Sequence, residues 1–394
     1  MGLCGTARRR FRWRALLLLG ASVIPMRFVS GQHIPKAEHH YQLGLELEKA
    51  GKFQEAAAEF TRAIEIEPEF GDAYYHLGLS SLQDGDAQNA IRALMQLSQL
   101  EPKNTQVRMA LGQIYFGLGY YDDALALYYR VLQFQPDQPD VYRSIGLILF
   151  KQKAYAQAVE SLSKALALDP GSKEARSLLA SVYEAQNDLP DAIRQIQEGI
   201  GYNPSEPELL TTLGSLDLKA GNLRDAEKQF RAALTLQEKY VPARIGLARV
   251  YRQSGRLSEA IAQLSAVLQN APQEGLALLE RGRAEYDAGD KQAARRDFED
   301  YVKVAPDRPE GDLFLGVLDY DARQCQSAIR HLNKAVSLDP AQAEAFYYLG
   351  ESFYCLGESA EAENALRKCL LLQPSHQAAG ELLERLSKEH QQVH

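Results

Sequence analysis

Four groups of residues have types and spacings that could do chemistry. Ser161 and Lys164 stand three apart in Ser161-Leu-Ser-Lys164, the spacing at which a lysine amine reaches a serine hydroxyl on one helical face and activates it as a nucleophile. His390 and His394 have the i,i+4 spacing of a helical metal pair, but they lie in the last turn of the chain, which frays. Arg281 and Glu285 form an i,i+4 ion pair on a helix, and Cys325, Cys355 and Cys369 offer thiol or disulfide chemistry. None of these groups has the companions that catalysis needs. No Gly-x-x-x-x-Gly-Lys phosphate loop, dinucleotide fingerprint, His-Glu-x-x-His zinc pair or Cys-x-x-Cys occurs in the 394 residues. The expectation is a chain with no catalytic residue, no metal site and no cofactor.

The elements that must position these residues recur every 34 positions, from Ala37 to His376, without an insertion. The ten units begin at Ala37, Gly71, Thr105, Pro139, Lys173, Pro207, Val241, Gly275, Pro309 and Ala343, and the twentieth residue of every one is alanine. Position 8 is always glycine or alanine, so two helices can approach closely where it faces a neighbour. Position 15 is Gly51, Gly85, Gly119, Gly221, Gly255, Gly289 or Gly357, with Asn187 in the fifth unit, the residues that favour the left-handed stop after a helix. Position 32 is proline in nine units and ends the second helix. Each unit is thus a pair of helices, A then B.

This combination resembles the tetratricopeptide-repeat family: small residues at 8 and 20, bulk at 7, often 11, and at 24, and proline at 32. The resemblance covers residues 37–376 and implies an all-α fold, a right-handed superhelical α-solenoid of helix-turn-helix repeats whose A helices line a concave groove. Residues 377–394 continue a helical pattern with Leu382, Leu383 and Leu386 and read as a capping helix and tail. Three departures stand out. Glu238 replaces the sixth proline, so helix B is expected to run on or meet its neighbour at a different angle. Arg281 and Glu285 replace apolar residues at positions 7 and 11 of unit eight, and Asp217 and Asp319 also fall at position 11. Units six to nine should therefore be looser than units one to four.

The resemblance also implies that positions 2, 5, 9, 12 and 13 face the groove. Units two to four present Tyr75, Leu79, Leu82, Met109, Phe116, Leu147 and Phe150 there, either as an apolar contact surface or as packing between adjacent A helices. Units seven and eight present Arg249, Arg252, Arg283 and Tyr286, a basic spot that either receives a carboxylate or pairs with local acids. The Lys/Arg and Asn clamp with which some members of the family hold a peptide carboxylate is absent. Cys325 and Cys355 fall near the same edge of adjacent units and are either joined or, with Cys369, ordinary thiols.

Residues 1–31 hold six arginines and no acid, followed by an apolar run too short to span a bilayer and by Val29 and Gly31 at the positions a signal peptidase prefers. They read as a signal peptide, with residues 32–36 as a short leading segment; an uncleaved anchor is the alternative. Without them, 38 basic residues face all 52 acids, a formal −14 that disfavours nucleic acid and anionic lipid as partners. The expectation is an exported, periplasmic or secreted, non-catalytic scaffold for a protein or peptide, with no stable membrane span after cleavage. The alternative is an accessory or regulatory subunit that positions an envelope enzyme or its substrate.

Overall fold

In a computed structural model that describes residues 33–392, each period forms two helices. The A helices are α1 (Pro35–Lys49), α3 (Gly71–Asp84), α5 (Thr105–Leu118), α7 (Pro139–Lys151), α9 (Lys173–Ala185), α11 (Pro207–Lys219), α13 (Val241–Gln253), α15 (Gly275–Asp287), α17 (Pro309–Asp321) and α19 (Ala343–Cys355). The B helices are α2 (Phe53–Ile66), α4 (Ala87–Leu100), α6 (Tyr121–Phe134), α8 (Tyr155–Leu168), α10 (Leu189–Tyr202), α12 (Leu223–Leu236), α14 (Leu257–Asn270), α16 (Lys291–Val304), α18 (Cys325–Leu338) and α20 (Ser359–Leu372), followed by α21 (Gln377–Gln392). The fold is all-α, an α-solenoid of helical hairpins, and the described residues contain no strand. The leader at residues 1–31 and the His390 and His394 side chains lie outside the described part. None of the described helices is long and apolar enough to cross a membrane.

The periodic small residues act as sockets. All ten position-20 alanines are fully buried. Position 8 receives the bulky side chain at position 24 of the same hairpin: a Cβ on Gly146 would sit 2.6 Å from Cγ of Leu162, and one on Gly350 2.6 Å from Cγ of Leu366. Both leucines are fully buried, worth about 1.5–3 kcal/mol each, and that contact exists only because position 8 has no side chain.

The A-to-B turn is set by position more than by residue type. Gly85 and Gly119 take the left-handed conformation there, with φ of 90° and 82°, and so do three residues with side chains, Lys153 (61°), Asn187 (62°) and Arg323 (60°). The sequence pointed to Asn187 but not to Lys153 or Arg323. Their amides bond back to Phe150 (2.9 Å) and Tyr320 (2.9 Å), and the burial of both helices outweighs a strain of roughly 1–2 kcal/mol per residue.

Glu238 does not lengthen its helix. α12 ends at Leu236, two residues before Glu238, as α2 ends at Ile66 two residues before Pro68. The Gln237 amide still closes on Ala233 (2.9 Å), Tyr240 turns back onto Gln237 (3.0 Å), and Pro242 sits in the first turn of α13. The turn and the next helix stop α12 without a proline at position 32.

The described residues divide into two compact units, 33–195 and 196–392. In the first, a large part of the core runs from Ala124 and Tyr128 through Ile145 and Leu162 to Val182. In the second, one cluster extends from Leu210 to Leu318, and Ala379, Leu382 and Leu386 of α21 cover Ala362, Leu366 and Cys369, with Leu383 half-buried beside them. α21 thereby closes the apolar face of the tenth hairpin.

Candidate protein-binding site

In the first unit, α3, α5 and α7 hold Tyr75, Leu79, Leu82, Met109, Phe116, Leu147 and Phe150, all half-buried. Tyr75 and Leu82 pack on the cluster of Ala90, Leu94, Leu97, Val107, Leu111 and Ile114. Met109, Phe116 and Phe150 pack on the Ala124–Val182 cluster. Phe116 and Phe150 tilt against the first residues of their own B helices, Tyr121 (5.9 Å between ring centroids) and Tyr155 (6.1 Å), a geometry repeated one hairpin apart. Leu79 and Leu147, at position 9, belong to neither cluster. The seven side chains therefore divide between packing along the A helices and an apolar surface that stays partly open to solvent.

The second unit spends its basic spot internally. Arg249 Nε donates to Glu280 Oε1 (2.9 Å), Arg283 Nη1 donates to the same oxygen (3.2 Å), and the Arg283 guanidinium lies over the Phe314 ring at 4.9 Å. Glu280 is only 2% exposed, so two arginines offset its desolvation. Arg252 reaches Asp287 (2.9 Å), and the Tyr286 hydroxyl donates to Asp321 (2.9 Å), which also holds Lys291 (2.7 Å). Of the two expectations for this spot, pairing with local acids is the arrangement found. The acids Glu280, Asp287 and Asp321 were missed as its partners, yet a signal was there: Arg252 with Asp287 and Tyr286 with Asp321 are both 35 apart, position 12 of one unit to position 13 of the next.

The substitutions at positions 7 and 11 are compensated. Arg281 lies 3.7 Å from Glu285, as the spacing predicts, but its main partner is Asp297 on α16, gripped by Nε and Nη2 at 2.7 Å each. Burial, and then the negative charge of Asp297, push the Glu285 carboxyl up to about 7. Asp319, 1% exposed, takes Arg295 Nη2 and accepts the Ser327 hydroxyl at 2.6 Å. Asp319 thus sits in a packed, bonded environment, whereas Glu285 is buried without a partner for Oε2.

Cys325 is the first residue of α18, buried, and not in the turn before it; Cys355 ends α19. They are joined by a disulfide across a Cα–Cα distance of 6.4 Å. Cys369 is free and buried, and burial pushes its thiol up, which keeps it unreactive. Lys164 is held as an ammonium by Glu160 (2.8 Å), the opposite of what a base for Ser161 requires. No group of three His, Cys, Asp or Glu suited to a metal ion occurs among the described residues.

Residues 70–278, more than half of the chain, match the family model described as the cilia and flagella-associated protein 70 C-terminal domain. Tetratricopeptide-repeat models match residues 37–70, 279–320 and 315–369. No curated protein matches. Among solved structures, yeast Tom70 is similar with a TM-score of 0.53 at 12% identity, over 91% of this chain and 96% of that one. The structure of the APC/C hetero-tetramer Cut9-Hcn1 is similar with a TM-score of 0.50 at 14% identity, over 90% and 91%. At such identities the likeness concerns the fold.

Proposed function

The chain belongs to the tetratricopeptide-repeat family, and from that premise we propose that it is a non-catalytic, exported scaffold that holds a protein or peptide in the groove lined by its A helices. The observation that carries the reading is the apolar surface of α3, α5 and α7: Leu79 and Leu147 remain half-buried while the cores beside them are already filled. Partly open leucines are suited to an apolar segment of a partner, whose burial is worth about 25 cal/mol per Å². Export is supported by the arginine-rich leader in the sequence and by the bond between Cys325 and Cys355, a link that oxidising compartments favour.

The test is capture of partners from an envelope extract by wild type and by the double variant Leu79→Ser, Leu147→Ser. These positions are preferred to Phe116 and Phe150, whose rings also support the core. The expected result is a partner enriched by wild type and lost by a variant with unchanged helicity. Undiminished capture would remove this surface from the proposal. Enrichment of one enzyme in equal molar amount would favour the accessory-subunit reading.

A further inference from the structure

Most buried carboxylates of the second unit are matched by a cation. Glu280 has Arg249 and Arg283, Asp297 has Arg281, Asp312 has Lys334, and Asp319 has Arg295. Glu351, half-buried on α19, is matched differently. Its Oε2 accepts the Tyr320 hydroxyl at 2.8 Å and its Oε1 the Tyr347 hydroxyl at 2.8 Å, and among the described residues no Lys, Arg or His forms an ion pair with it. Phenols orient a carboxylate without neutralising it. The charge of Glu351 is felt by its donors: after burial, it is what pushes the Tyr320 phenol up to about 12 and the Tyr347 phenol higher still. Arg323 acts on Tyr320 through its field but makes no ion pair with Glu351.

The two phenols that bond Glu351 belong to a cluster of aromatic rings. Tyr348 stands edge-on to Tyr320 (5.8 Å) and to Tyr347 (5.1 Å), and Tyr347 lies against His376 (4.7 Å). Glu344 and Asp321 add their negative fields at Tyr348. A carboxylate with one phenol on each oxygen keeps a lone pair free on each, the acceptor geometry that a planar guanidinium fork fits, and ring faces attract the same cation. The unit uses this chemistry internally, where Arg256 lies over the Tyr251 ring at 4.1 Å.

We propose that Glu351, with Tyr320, Tyr347 and Tyr348, is a receptor for an arginine side chain of a bound peptide, Glu351 supplying the counter-charge and the tyrosines the walls. This rests on the peptide-binding reading above and assigns the chemistry of one ligand group at a different place on the chain.

The experiment uses a fluorescein-labelled nonapeptide of glycine and serine with two arginines, and its twin with citrulline at those positions, which keeps the shape and loses the charge. Anisotropy titrations in 0.15 M salt compare wild type with Glu351→Gln and with Glu361→Gln, an exposed acid of α20 that controls for net charge. Wild type and Glu361→Gln are expected to prefer the arginine peptide about tenfold or more, and Glu351→Gln to lose the preference. Equal binding of the two peptides by wild type, or equal losses in both variants, overturns the proposal. Tyr347→Leu, which keeps the charge and removes a wall, is expected to weaken the arginine peptide about threefold or more, so the test stands even if Glu351→Gln fails to fold. An arginine preference unaffected by either variant, alongside lost capture in the Leu79 and Leu147 variant, would defeat this inference and leave the scaffold reading intact.

Discussion

Cutting the link between hairpins nine and ten should loosen α18 and α19 by a calculable amount. The Cys325–Cys355 bond closes a loop of 30 residues in sequence. In the chain-entropy account a loop of that length removes about 12 cal/mol/K from the unfolded ensemble, or about 3.6 kcal/mol at 25 °C. Cys355→Ala is the appropriate perturbation, because Cys355 sits at the exposed end of α19 whereas Cys325 is buried, so little else is lost. A repeat array opens in pieces, so a single melting curve would blur the effect; native-state hydrogen exchange resolves it helix by helix. The slowest amides of α18 and α19 should exchange faster by roughly two to three powers of ten, while α5 to α7 in the other unit stay unchanged. A change of less than about threefold would refute the loop-entropy reasoning. The wild-type chain from Gln32 should show one free thiol after denaturation without reductant, that of Cys369; three would mean that the link is not made.

Gly146→Val should cost about 1–3 kcal/mol, read as faster native-state hydrogen exchange of α7 and α8 in the full chain, because its Cβ alone would lie 2.6 Å from Leu162 Cγ. Unchanged stability would mean that the hairpin yields there. Glu285 binds its proton more tightly in the folded chain, with the carboxyl raised from 4.5 to about 7, so its contribution to stability is fully present below pH 4.5 and is lost as pH rises through 7. Glu285→Gln should flatten the fall in thermal midpoint over that window, and identical slopes in both proteins would count against the assignment. Arg281→Leu should cost about 3 kcal/mol by stranding Asp297, and Arg281→Lys should restore only part of it because the two-pronged grip is lost. Full rescue by lysine would show that charge, not geometry, is what Asp297 needs.

The hairpins were legible because their signals are local. A small residue at 8, alanine at 20 and proline at 32 each act on the nearest helix end or the nearest facing side chain, and ten repetitions leave little ambiguity. Lys153 and Arg323 were not legible as left-handed residues, since nothing in a lysine or arginine favours that conformation and only the packing of the two helices enforces it. Glu238 gave no sign of where α12 ends for the converse reason: proline is one way to stop a helix, and the turn onto Tyr240 is another. At the candidate site, the apolar run from Tyr75 to Phe150 could be read from its positions. How much of each side chain the core consumes could not, because that depends on the helix placed next to it.

By itself, the sequence determined an all-α array of helical pairs, where each pair begins and ends, and the absence of any motif for phosphate, dinucleotide or zinc chemistry. Only the tertiary structure decided how charges and thiols are shared between helices. It gave Arg249 to Glu280, Arg281 to Asp297, and Cys325 to Cys355, and it brought the Tyr320 phenol to Glu351. The physical reason is range. A turn or a helix stop is settled by a few consecutive residues, whereas Arg281 and Asp297, Cys325 and Cys355, and Arg249 and Glu280 stand 16, 30 and 31 residues apart in sequence and are brought within a few ångströms only by packing.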